Sequence, residues 1–277
     1  MSAIRAAEKF TSEDGFTVYT FPVDDYEYDP DQKYRDASDA VVGADYAVDY
    51  AGGAPWPKDV ATEVVRFTIW GADAGDAEDQ FDDCASTLRK IGRGKLYTLA
   101  SDGSRRWAWA KLTGRPTYSA RVDDYSNIPV SCRFLRFSDW FAESPTTGTE
   151  AVAATPATFT ITNPGNAPCL AAVIRLRSNG AAGFTNPVLT NLTNGYAISS
   201  SRDAAGANSE LRIDAGAAKV EYSNDDGASY ADDYSLVTLG VTQVGFMRLE
   251  PGDNTMRYAD GGAPNLSIEW SFDAPYE

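Results

Sequence analysis

The sequence predicts a mainly β protein in two domains, with one amphipathic helix in the first. Three observations predict it. Short runs of β-branched and aromatic residues alternate with Gly, Asn, Pro and Asp clusters. A single stretch, Asp76 to Ile91, has helical periodicity. Residues 142–157, AESPTTGTEAVAATPA, have almost no large side chain and read as a linker. With 277 residues, the chain suits one large domain or two ordinary ones of roughly 100–200 residues. Its 43% apolar and 12% aromatic content exceeds that of a disordered chain.

The domains are expected at 1–142 and 158–277, with 143–157 between them. In the first, Phe16, Val18, Tyr19 and Phe21 form a short β-prone run. An acidic, tyrosine-bearing loop follows, and then a strand from Val64 to Trp70, ended by Gly71. In the helix, Ala77, Phe81, Cys84, Ala85, Leu88 and Ile91 share one stripe. Acidic residues crowd its first turns, Arg89 and Lys90 its last, and Gly92 and Gly94 supply the stop. Further strands are expected at Lys95–Leu99, Trp107–Leu112, Tyr118–Val122 and Ile128–Phe137. The second domain reads as an all-β sandwich without a helix. Its strands are expected at Phe159–Thr162, Ala171–Leu176, Leu211–Ile213, Lys219–Tyr222, Gly245–Leu249, Asn254–Tyr258 and Leu266–Phe272.

Composition excludes much chemistry. The chain has no histidine, so Ser-His-Asp and Cys-His triads and HExxH zinc sites are ruled out. Its net charge of −16 disfavours nucleic acid and anionic membranes as partners. Cys84, Cys132 and Cys169 form no CxxC pair and read as free core thiols. The N-terminus, MSAIRAAEKF, has no signal-peptide core, and no apolar run approaches the length of a membrane span.

Carboxylate chemistry survives that filter. Asp24-Asp25, Asp82-Asp83, Asp123-Asp124, Asp225-Asp226 and Asp232-Asp233 are candidate pairs for a glycosidase. Adjacent strand residues face opposite ways, however, and Asp225-Asp226-Gly227 fits a hairpin turn, so none is expected to be catalytic. Residues 24–36, DDYEYDPDQKYRD, begin like an EF-hand loop, but Pro30 stands where the turn glycine belongs and no closing Glu follows. No metal and no cofactor are expected. Trp70, Trp107, Trp109, Trp140 and Trp270 lie in or at the ends of expected strands, where core or interface positions are favoured over a sugar platform. Trp56, between prolines, suits loop display.

Charge is distributed unevenly. Residues 8–59 hold 13 acidic and 4 basic side chains, net −9, whereas residues 88–136 hold 3 acidic and 11 basic, net +8. The two regions either face each other within one domain or meet between neighbouring copies.

The order of motifs in the second half resembles the distal tail proteins of long-tailed (siphovirus-type) bacteriophages. The segments that carry it are FSDWFAE (Phe137–Glu143), FTITNPGNAPCLAAVIRL (Phe159–Leu176), LRIDAG (Leu211–Gly216) with a hairpin through Ser223 to Tyr230, MRLEPGDNTMRYADG (Met247–Gly261) and LSIEWSF (Leu266–Phe272). These are turns between strands, and their order and spacing make the likeness. The resemblance implies a galectin-like C-terminal β-sandwich and a non-enzymatic virion tail protein assembled in the host cytoplasm. It implies an N-terminal domain that forms a hexameric ring, with tail tube and tip or hub proteins as partners. Within such a ring, Asp24, Asp25, Tyr26, Tyr28, Asp29 and Asp31 of one copy are expected to meet Arg89, Arg93, Arg105 and Arg106 of the next. A carbohydrate-binding adhesin or receptor-binding tail protein is the alternative, and requires an exposed aromatic platform.

Overall fold

The computed structural model describes residues 4–22, 27–31, 61–100, 102–118, 126–180, 183–204, 206–240, 243 and 245–276. Among them the chain is mainly β, with antiparallel sheets and one α-helix. It divides into two compact units, the first running through Glu143 and the second from Ser144 to Tyr276. No helix of the described residues is long and apolar enough to cross a membrane.

The first unit contains β1 (Ile4–Ser12), β2 (Val18–Thr20), β3 (Glu27–Asp31), β4 (Ala61–Trp70), α1 (Ala74–Ile91), β5 (Arg93–Ala100), β6 (Arg105–Leu112), β7 (Thr117–Tyr118), β8 (Asn127–Arg136) and β9 (Trp140–Ala142). The sheet runs β2-β1-β5-β6-β8-β4-β3, with β7 added to β8 and β9 to β6. Period-two alternation buries Ala61, Val65, Phe67 and Ile69 of β4 and Ile128, Val130, Cys132 and Phe134 of β8. Phe10, Phe21, Phe67 and Phe134 pack edge to face or tilted at centroid distances of 4.9 to 6.1 Å.

Helix α1 starts two residues before the expected Asp76, because Asp73 is its N-cap and accepts from the Asp76 amide at 3.0 Å. Its stripe is the expected one: Ala77, Phe81, Cys84, Ala85, Leu88 and Ile91 are all buried. Gly71 precedes it because a Cβ there would lie 2.4 Å from the Ala77 nitrogen.

An inward position of β4 holds a carboxylate. Glu63 is 1% exposed and is answered by Arg136, 4% exposed, whose Nε donates to Glu63 Oε1 at 2.7 Å. Arg136 also donates to the Ser138 carbonyl at 2.5 Å and lies over the Trp140 ring at 5.3 Å.

The second unit is a sandwich. One sheet orders β10 (Thr146–Val152), β22 (Leu266–Phe272), β12 (Val173–Ser178), β17 (Glu210–Asp214), β18 (Lys219–Ser223) and β19 (Ala231–Asp232). The other orders β11 (Ala157–Asn163), β21 (Gly252–Ala259), β14 (Val188–Asn191), β15 (Tyr196–Ser200) and β20 (Val237–Leu239). The short pair β13 (Phe184–Thr185) and β16 (Asp203–Ala204) stands apart. Ile174, Leu176, Leu211, Ile213 and Ile268 from the first sheet and Ile161, Leu189, Ile198, Met256 and Tyr258 from the second are buried.

Two expectations are corrected here. Residues 143–157, read as a linker, carry β10, which pairs with β22 over its whole length. Its small side chains have a packing reason: a Cβ on Gly148 would lie 2.2 Å from the Trp270 ring, which stacks on Phe159 with centroids 5.9 Å apart. Gly245–Leu249, read as a strand, forms only a bridge between Leu249 and Cys169. The Arg248 carbonyl is taken instead by the side-chain amides of Asn191 and Asn194, at 2.8 and 2.9 Å.

Asp225-Asp226-Gly227 is the expected turn, with Asp226 and Gly227 at φ 64° and 79°. The Ser223 hydroxyl, then the Ser229 hydroxyl and amide, donate to Asp225 and hold its carboxyl down at about 2. The folded value lies below the ~3.9 of an unfolded aspartate. The turn's stabilisation is therefore complete above that range and lost as pH falls toward about 2. An NMR titration of the Asp225 carboxyl is expected to show this low midpoint, and Ser223→Ala should raise it.

Candidate functional site

The basic segment of residues 88–136 falls largely on α1, β5, β6 and β8. Alternation along β5 buries Leu96 and Thr98 and leaves Arg93, Lys95 and Tyr97 on the opposite face. Register then aligns side chains across three strands: Lys9 stands opposite Tyr97, Tyr97 opposite Trp107, and Lys95 opposite Trp109. The result is a ladder of cations on rings. Lys9 Nζ lies 4.4 Å from the Tyr97 ring, and Lys95 Nζ 4.1 Å from Trp107 and 5.5 Å from Trp109. The Arg93 guanidinium lies 5.1 Å from Trp109 and 4.8 Å from Phe137, which is 41% exposed. Trp107 also meets Phe141 at 4.9 Å, and its indole donates to the Ala142 carbonyl at 3.1 Å. Each exposed stack contributes about 0.5–1 kcal/mol, so their main effect is to hold long cationic side chains in fixed places.

At one end of this face Arg105 pairs with Glu8 at 3.0 Å and with Glu143 at 3.9 Å, and Lys9 pairs with Glu143 at 4.0 Å. At the other end no ion pair joins Arg93, Lys95 or Lys111 to any described residue. The within-domain reading of the charge segments therefore holds for Arg105 with Glu8, and leaves these three cations over.

The structure brings only part of the expected interface together. Arg93 and Arg105 share the β5–β6 face. Arg106 does not: it is 5% exposed and bonded to Asp102 at 3.1 Å, because its place in β6 points inward. Arg89 lies on α1, beside Asp82, Lys90 and Arg115, with Arg115 bonded to Asp82 at 2.8 Å. Asp24, Asp25 and Tyr26 lie outside the described residues, as do Asp123, Asp124 and Trp56. Tyr28, Asp29 and Asp31, expected in a loop, belong to β3, paired residue by residue with β4. Pro30 is tolerated there because β3 ends the sheet order. Sequence reasoning gave Trp107 and Trp109 core or interface positions, and it missed Lys9, Lys95 and Phe137 as parts of this face. Their signal is the alternation Arg93-Lys95-Tyr97 and Trp107-Trp109, which places cations and rings on one face.

The competing chemistries find little support in the described residues. No group of three or more His, Cys, Asp and Glu side chains is placed to hold a metal ion. A groove of about 560 Å³ on the six-stranded sheet is lined by Arg175, Arg212, Trp270 and Glu269, the last being its one carboxylate. Glycoside hydrolysis needs two. Trp270 is half-buried and stacks on Phe159. Asp233 is buried and bonded to Arg202. Trp107 and Trp140 are buried, whereas Trp70, expected in the core or an interface, is 58% exposed.

All three cysteines are free and buried. Hydrogen bonds link Cys84 to Cys132 and to Tyr19, lowering the Cys84 thiol and raising Cys132. Burial pushes Cys169 up to about 11, which leaves it an inert thiol.

No family model and no curated protein matches the chain. Among solved structures it is similar to SPP1 Dit, described as a paradigm of the hub adsorption apparatus of phages infecting Gram-positive bacteria. The TM-score is 0.56 and the identity 12%, over 98% of this chain and 93% of that one. Two structures of the phage p2 baseplate in its activated conformation, with Sr and with Ca, match at TM-scores of 0.45 and 0.43 and identities of 9% and 8%. Each covers 99% of this chain and all of the other. With both units matched in one alignment, the chain has the fold of SPP1 Dit.

Proposed function

We propose that this chain is a structural, non-enzymatic component of a phage tail, placed where the tail tube meets the distal tip, and that copies assemble through the first unit into a hexameric ring. The observation that carries this reading is the match to a phage hub protein along nearly the whole chain, through both units in order. The motif order in the second half supports it independently. Asn163, Gly165, Gly252 and Asn254 act there as turn formers: Asn163 donates to the Ala167 carbonyl at 2.9 Å, and Asn254 to that of Gly252 at 3.1 Å. The virion tail is the corresponding location, with tube and tip proteins as neighbours.

Electron microscopy of the purified full chain, with mass measured in solution, tests the reading. A closed ring with a central hole is expected. A monomer at every concentration removes the ring from the proposal.

A further inference from the structure

We propose that each copy offers the β5–β6 face bearing Arg93, Lys95 and Lys111 to the outward face of α1 on the next copy, where Asp79 and Asp83 stand beside the exposed Trp70. The inference rests on the ring reading and adds to it the two surfaces that meet. Three observations support it.

The outward face of α1 carries unanswered carboxylates. The buried stripe of the helix packs on β1, β2, β4 and β8, which turns Glu78, Asp79, Asp82 and Asp83 to solvent. No cation precedes Arg89 on the helix. Asp82 is bonded to Arg115, whereas Glu78, Asp79 and Asp83 have no ion-pair partner among the described residues. Gln80 donates to the Trp70 carbonyl at 3.4 Å, which ties this turn of α1 to the end of β4. A groove of about 390 Å³ opens there, with Pro22, Trp70, Gln80 and Asp83 in its lining.

The β5–β6 face carries the answering cations at one end. Glu8 and Glu143 answer Arg105 and Lys9. Arg93, Lys95 and Lys111 have no ion-pair partner among the described residues, and register sets Arg93 opposite Lys111. Phe137 stands exposed beneath Arg93. Each surface thus joins charge of one sign to an exposed aromatic residue, Trp70 or Phe137, and aromatic residues anchor interfaces. Lys95 is already laid over Trp107 at 4.1 Å, so part of the cost of ordering it is met before association.

The spacing fits the occupant. Arg93 and Lys95 stand two residues apart on an extended strand, about 6.8 Å. Asp79 and Asp83 stand one turn apart on α1, about 6 Å. Like spacing and opposite sign allow the helix to lie over the strand with each carboxylate near a cation. One copy cannot close this contact on itself. In the sheet order β6 and β8 separate β4 from β5, a distance of about 14 Å, and the cations of β5 point away from the core on which α1 packs. The contact is therefore heterologous, the kind that closes into a ring.

The test mixes two charge-reversed full chains. Arg93→Glu with Lys95→Glu makes the β5–β6 face acidic; Asp79→Lys with Asp83→Lys makes the helix face basic. Each variant alone is expected to raise the half-assembly concentration, read by sedimentation velocity, by at least about 100-fold, since it presents like charge to like. Mixed in equal amounts, the two restore rings, because every junction is again complementary. Circular dichroism confirms that each variant is folded before mixing. Where a reversal variant does not fold, Trp70→Ser, a change at an exposed position, decides alone: it should raise the half-assembly concentration at least about 10-fold, and an unchanged value overturns the surface. Variants that assemble as well as the wild type, or folded variants that fail to reassemble on mixing, overturn the surface and leave the ring reading standing. A wild-type monomer at every concentration overturns both.

Discussion

Glu63→Ala is expected to destabilise the first unit by about 3–5 kcal/mol, as removal of one partner from a buried ion pair does. Arg136 is 4% exposed, and without Glu63 its guanidinium keeps the Ser138 carbonyl and the Trp140 ring but loses the charge that justified burial. The double variant Glu63→Leu with Arg136→Met should recover most of the loss, since apolar side chains of similar volume remove both desolvation costs. Urea unfolding followed by circular dichroism measures all three proteins. A Glu63→Ala protein within about 0.5 kcal/mol of the wild type, the range of ordinary surface changes, would show that the pair contributes no net stability.

The second large effect concerns an amide. Asn254 is completely buried and makes four hydrogen bonds. Its nitrogen donates to the carbonyls of Glu250 at 2.8 Å and Gly252 at 3.1 Å. Its oxygen accepts from the Glu250 amide at 2.8 Å and from Asn191 Nδ2 at 3.0 Å. In Asn254→Ala two donors lose their acceptor, at about 1–3 kcal/mol each, so the second unit should lose about 3–5 kcal/mol. Asn194→Ala, which removes a half-buried amide, should lose only about 1 kcal/mol. Thermal melts of the two variants side by side separate the buried network from ordinary turn chemistry.

How much of this was legible in the sequence depended on what fixes each feature locally. Helix α1 was legible because stripe, cap and stop all lie within 20 residues of one another. Strand β10 was not. Its Thr-Thr-Gly-Thr run has linker composition, and the reason for it, the Trp270 ring, lies far along the chain. The same holds for β13 to β16 and β20, short strands set in polar turns, whose partners alone make them strands. For the site, uneven charge pointed to the right segment, but a charge tally has no faces. It could not separate Arg93, laid on Trp109, from Arg106, buried with Asp102. That distinction needed strand parity and cross-strand register together.

The position of β22 has a consequence for timing. It sits between β10 and β12, and β21 sits likewise between β11 and β14. In both sheets of the sandwich the strand next to the first edge is thus translated after every other strand of that sheet. Until then β10 and β11 have emerged with no neighbour to pair with, whereas β12 already has β17, and the strands of the first unit's main sheet end at Ala142. A chain cut short of β21 therefore leaves β10 and β11 as unpaired edges, the kind of exposed strand that invites aggregation, while the main sheet of the first unit has all its strands.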